Sequence, residues 1–114
     1  MSSDWRRPLL RKLKRWATSR FPLMFPVRMY LRTPKQMGGN LGTFQFDPEE
    51  EAGTIYLLNT QDKDNLVDTF AEEWAHARCA FLVDMEDRDD DPDHHPSFWA
   101  EYGRLQRAIR QTVW

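Results

Sequence analysis

The sequence predicts an α+β domain: an N-terminal helix, a small antiparallel sheet of about three strands, a long helix and a C-terminal helix. Three observations carry that reading. Apolar residues recur at helical spacing near both ends of the chain. They alternate with polar ones over short stretches between residues 27 and 58, and glycine and proline separate these blocks. The 114 residues suit one domain, 1–114, and are too few for two ordinary ones. A hydrophobic content of 40%, with five tryptophans, supplies one core and argues against a chain disordered throughout.

Taken in order, residues 1–21 read as a basic amphipathic helix. Ser3 or Asp4 can cap it, and Pro8 falls near its first turn, where a missing N–H is tolerated. Trp5, Leu9, Leu10, Leu13, Trp16 and Ala17 make its apolar side; Arg6, Arg7, Arg11, Lys12, Lys14 and Arg15 fill the rest. After Pro22 and Pro26, Val27, Met29 and Leu31 alternate with Arg28, Tyr30 and Arg32, a strand with one buried face. Residues 33–42, with Pro34, Gly38, Gly39 and Gly42, read as a flexible loop. Thr43 to Phe46 and Thr54 to Leu58 read as strands of an antiparallel hairpin, joined through a polar turn from Pro48 to Gly53. The strand region is therefore 27–58.

The most regular helix spans 64–84, with Asp62 or Asp64 as its cap. Leu66, Phe70, Trp74, Ala77 and Phe81 form an apolar stripe. At ~100° per residue, Glu72 and His76 fall together away from that stripe, with Glu73 at its border. An acidic connector covers 84–93. A last helix over 97–113, capped by Ser97, presents Phe98, Tyr102, Leu105, Ile109 and Val113 on one side.

The net charge of −2 conceals a division. Residues 1–36 carry ten basic side chains and one acidic; the remainder carries six basic and seventeen acidic. Such a split fits a basic face for nucleic acid, anionic membrane or an acidic partner, or a basic front paired with the fold's own acidic back. No run approaches the roughly 20 apolar residues of a membrane span, and the first 20 residues lack the apolar core of a secretory signal. The lone Cys79 excludes an internal disulfide framework and favours a reducing compartment, so a cytoplasmic protein is expected.

One cluster points to chemistry. Glu72 and His76 stand four apart, so a helix projects both from one face, one turn apart, where they can hold one ion. Glu73 follows the first of them, where zinc peptidases carry their general base. His94 and His95 come eighteen and nineteen residues after His76, at the approach to the last helix. The segment Asp68-Thr69-Phe70-Ala71-Glu72-Glu73-Trp74-Ala75-His76-Ala77 resembles the active-site helix of small SprT-like, zincin-type metallopeptidases, of the kind that phage proteins carry. His94-His95-Pro96-Ser97-Phe98 is similar to the segment supplying that family's third zinc ligand. In the resemblance the first motif histidine is replaced by Glu72, and a glycine by His95.

The resemblance implies a zincin-like minimal core and a metal-dependent peptidase acting on a peptide or protein substrate, in a phage- or prophage-encoded cytoplasmic protein. Glu72, His76 and His94 would be the metal ligands and Glu73 the catalytic base, with catalysis weakened or lost through Glu72. Two histidines and a carboxylate suit zinc, but iron or manganese also fits such a set, and a decayed site is the third alternative. The plainer readings stand beside it: a solvated face for Glu72 and Glu73, a half-exposed surface histidine for His76, a surface residue for His95. Asp91 and Asp93 lack the pattern of a calcium loop. Cys79 is expected to be a buried thiol, Gly38-Gly39 a turn, and Trp74 and Phe98 core residues packed on each other or on the sheet. The alternative function is a non-catalytic module binding nucleic acid or a protein partner through Arg6–Arg15. The oligomeric state is left open.

Overall fold

The computed structural model describes residues 5–86 and 96–114. Helix α1 (Arg6–Arg20) buries Leu9, Leu10, Leu13 and Ala17 and exposes Arg7, Arg11, Lys12, Lys14 and Arg15. The apolar side thus forms as expected, except that Trp5 is 40% exposed and occupies the N-cap position without a side-chain cap bond. The expected caps Ser3 and Asp4 lie outside the described residues. Beyond α1, the Trp74 indole N–H donates to the Phe21 carbonyl at 2.9 Å, and Arg78 Nη1 donates to the Pro22 carbonyl at 2.7 Å. These two bonds tie the turn after α1 to the long helix.

Strand β1 (Val27–Arg32) leads into a short helix, α2 (Pro34–Met37), within the segment expected to be a flexible loop. The reason is local. Thr33 and Gln36 form a reciprocal capping box, Pro34 sits at the start, and Gly38 closes the turn at φ 59°. Strands β2 (Gly42–Asp47) and β3 (Ala52–Leu58) form the expected antiparallel hairpin. In its turn, Asp47 Oδ1 accepts the Glu49 backbone N–H at 2.9 Å.

The sheet as a whole corrects the all-antiparallel expectation. Among the described residues it has three strands in the order β1-β3-β2, with β1 parallel to β3. The connection through α2 carries the chain past the central position, and the hairpin then returns β3 alongside β1. The inner face presents Val27, Met29, Leu31, Ile55, Leu57, Phe44 and Phe46 to the core. Gly53 leaves room for two rings there: a Cβ on it would lie 2.8 Å from Phe44 and 2.9 Å from Phe25.

Helix α3 (Lys63–Glu86) crosses that inner face. Asp62 Oδ1 accepts the Asn65 N–H at 2.9 Å and caps it. Sequence periodicity points to one apolar stripe, yet Leu66, Val67, Phe70, Ala71, Trp74, Ala75, Ala77 and Cys79 are all buried. The sheet covers one side of α3 and helix α4 (Pro96–Arg110) another, so small residues off the stripe are buried too. Helix α4 ends three residues before the expected 113, through Gln111 and Thr112 N–H bonds to Ala108 and Ile109 carbonyls. Val113, expected on the apolar side, is 96% exposed. Among the described residues no helix is long and apolar enough to cross a membrane.

Candidate metal centre

The residues singled out on α3 fall on two of its sides. Asp68, Glu72 and His76 follow one another at four-residue intervals, and on α4 so do Phe98, Tyr102 and Gln106. The two rows meet in opposite order. The His76 ring stacks on Phe98 with centroids 4.1 Å apart and planes 14° from parallel. At the other end, Tyr102 Oη and Gln106 Nε2 both donate to Asp68 Oδ1, at 2.9 and 2.8 Å. Glu72 lies between, half-buried, close enough to act electrostatically on Tyr102. Burial foremost, then the hydrogen bond to Asp68 and the charges of Asp68 and Glu72, push the Tyr102 phenol well above its usual range.

Glu73 faces elsewhere. It is 6% exposed and lies against the first residue of β2: a Cβ on Gly42 would stand 3.0 Å from Glu73 Cγ and 3.1 Å from Glu73 Oε2. Thr69, one turn earlier, is closer still, its Cγ2 2.6 Å from that position. Gly42 is therefore what lets the edge strand approach the helix beside the carboxylate. Thr69 also donates to Gln61 Oε1 at 2.7 Å, while Gln61 Nε2 donates to the Leu41 and Leu58 carbonyls. Arg6 closes the network from α1, donating through Nε and Nη2 to the Gln61 carbonyl.

Glu72 and His76 thus share the side of α3 turned to α4, and Glu73 stands beside the edge strand. His94 lies outside the described residues, as do His95, Asp91 and Asp93. Among the described residues no group of three or more histidine, cysteine or acidic side chains is placed to hold a metal ion. Two of the three expected donors, half-exposed and one turn apart, fit part of a metal site by their chemistry.

Cys79 is the buried thiol expected, 1% exposed. Burial first, and then the Glu101 carboxylate, push it up to about 11 against the opposing charge of Arg78, which keeps it a neutral thiol at neutral pH. Trp74 and Phe98 are core residues, but Trp74 stacks on Phe70 and Phe98 on His76 and Tyr102. Sequence reasoning missed the Gly42 approach and the Gln61–Thr69 network. The four-residue spacing of Thr69 and Glu73 is the signal that pairs them on one side of the helix. The chain matches no family model, no curated protein and no solved structure.

Proposed function

We propose that this domain is a metal-dependent peptidase of the SprT-like, zincin type, with catalysis weakened by Glu72 in place of the first motif histidine. The observation that carries the reading is the junction of α3, α4 and β2. Glu72 and His76 lie on one side of α3, His76 is stacked on Phe98 near the start of α4, and Glu73 is buried beside an edge strand.

In this reading Glu72, His76 and His94 would hold the ion, zinc first, with iron or manganese compatible with the same donors. The ion would supply Lewis-acid polarisation of a scissile carbonyl. Phe98 constrains the plane of the His76 imidazole by stacking. Glu73 would take the proton of the attacking water on a carboxylate oxygen, held in place by its packing against Gly42. The free edge of β2 would pair with an extended peptide, as a strand adds to a sheet.

Elemental analysis of the purified chain tests the reading, alongside Glu72→His and His76→Ala. Near-stoichiometric metal in the wild type, lost in His76→Ala, is the expected result, and peptidase activity should then disappear in Glu73→Gln. Zinc in Glu72→His alone would mark a homologue that has lost catalysis. Metal in none of the three would overturn the proposal.

A second reading, a non-catalytic module that binds nucleic acid or a protein partner through α1, draws on a separate observation. Among the described residues, none of the exposed cations Arg7, Arg11, Lys12, Lys14 and Arg15 forms an ion pair. Glu101, far from α1 in sequence, pairs instead with Arg78 and Arg104.

A further inference from the structure

The outer face of the sheet carries a feature that the peptidase reading does not use. Alternation along β1 and β3 turns Arg28, Tyr30 and Arg32 outward beside Thr54, Tyr56 and Leu58, and Tyr30 is the register partner of Tyr56. The two phenol rings stack with centroids 5.8 Å apart and planes at 27°. The Arg32 guanidinium lies 3.9 Å from the centroid of Tyr56 on the same face. Tyr56 is half-buried by this arrangement, whereas Tyr30 remains 48% exposed. An exposed aromatic ring is thus held in place from behind.

Tyr30 also borders a groove between β1 and α1. The groove, about 370 Å³, is lined by Arg7, Arg11 and Lys14 of the helix and Met29, Tyr30 and Leu31 of the strand. All three cations are exposed and, among the described residues, without an acidic partner. Acidic side chains do lie on this part of the molecule: Asp47, Glu49, Glu50 and Glu51 sit at the β2–β3 turn, beyond the Val27–Gly53 end of the sheet. A bound polyanion would therefore lie toward Tyr30 and Arg32 and away from that turn.

We infer that the α1–β1 groove and the outer sheet face bind single-stranded nucleic acid, with phosphates on Arg7, Arg11 and Lys14 and a base stacked on Tyr30. Charge complementarity fixes the occupant as a polyanion, and the exposed, pre-positioned ring selects one whose bases are free to stack. A duplex keeps its bases paired and offers Tyr30 nothing. An acidic peptide or a headgroup phosphate would meet the cations through its charge and has no base to stack on the ring. The inference narrows the binding-module reading and is independent of the metal centre.

The experiment is fluorescence anisotropy in EDTA, with the full chain and a labelled oligo(dT) of about 12 nucleotides, a length within the usual footprint of single-strand binders. A duplex of the same length and unlabelled heparin serve as comparisons. Binding to oligo(dT) should exceed that to the duplex and weaken steeply with salt. Tyr30→Val should weaken it about tenfold, the scale of removing one base stack, and Tyr30→Phe should restore it. Arg11→Ala with Lys14→Ala should lower the salt dependence by roughly 0.7 in log–log slope for each phosphate no longer neutralised. Circular dichroism on each variant separates loss of binding from loss of fold.

Equal affinity for duplex and single strand, or a Tyr30→Val protein that binds as the wild type does, would overturn the inference. If the α1 double variant alone abolished binding, the basic-helix module would survive without it. Failure to bind oligo(dT) at low salt would end both nucleic-acid readings and leave the metal analysis untouched.

Discussion

Gly42 sets how closely β2 approaches the motif helix. Its φ is not in the left-handed range, so the constraint is space rather than backbone freedom. A methyl group there would meet Thr69 Cγ2 at 2.6 Å and the Glu73 side chain at 3.0 Å. Gly42→Ala is therefore expected to lower stability by about 1–3 kcal/mol, the usual cost of overpacking. Thr69→Ser removes the nearest carbon and keeps the hydroxyl bonded to Gln61, so the double variant should recover part of that loss. Urea denaturation of the three proteins checks it, and a double variant no more stable than Gly42→Ala would show that Thr69 is not what resists the methyl group. The sequence marked Glu72, Glu73 and His76 through spacing on a helix, which is a local property. It held no sign of Gly42, because the glycine meets Thr69 and Glu73 only after β2 has packed on α3.

At the level of elements, Gln61 joins pieces that are distant in sequence. Its side chain donates to carbonyls at the start of β2 and the end of β3 and accepts from Thr69 on α3, and its backbone carbonyl accepts from Arg6 on α1. The residue is 5% exposed, so these bonds are made away from water. Gln61→Met keeps the length and removes both donors and the acceptor, leaving the Thr69 hydroxyl and two carbonyls to find other partners. The expected loss is about 1–3 kcal/mol, the cost of orphaning buried polar groups. Thermal unfolding measures it; a change below about 0.5 kcal/mol, the range of neutral surface substitutions, would mean that Gln61 is dispensable to the junction. Although α2 fell in a segment read as a flexible loop, the other three helices and the antiparallel hairpin were legible in periodicity and turn chemistry. The parallel pairing of β1 with β3 was not, since strand order depends on where the α2 segment carries the chain, and alternation within a strand carries no information about its neighbour.

Across the molecule, one buried thiol and one partly buried phenol couple stability to alkaline pH. Cys79 is raised from 9.0 to about 11 by burial and by Glu101, and Tyr102 is raised by burial and by its bond to Asp68. In the unfolded chain the thiol loses its proton near 9.0, whereas the native thiol keeps it to about 11. The native state then binds more protons than the unfolded state, so the stability contributed by the neutral thiol is complete below 9.0 and is lost as pH rises toward 11. Tyr102 adds a fall with the same sign from about 10 upward, its unperturbed value. Unfolding free energies measured by urea across this range should decline, and Cys79→Ala should flatten the part between 9.0 and 11. A Cys79→Ala protein with an unchanged slope would assign the decline elsewhere.

Whatever repeats at short range was already written in the order of residues: the long helices in their 3.6-residue period, the strands in alternation, the cap at Asp62 and the turn at Gly38, and the uneven distribution of charge. Whatever depends on which surfaces meet came from the folded chain. Folding made the sheet mixed and buried α3 on several sides. It turned Glu72 and His76 toward α4 and Glu73 toward β2, and it set Tyr30 beside the cations of α1. The physical reason is that periodicity fixes the side of an element on which a residue stands, whereas its neighbours across space follow from chain crossings and close packing that no local pattern encodes.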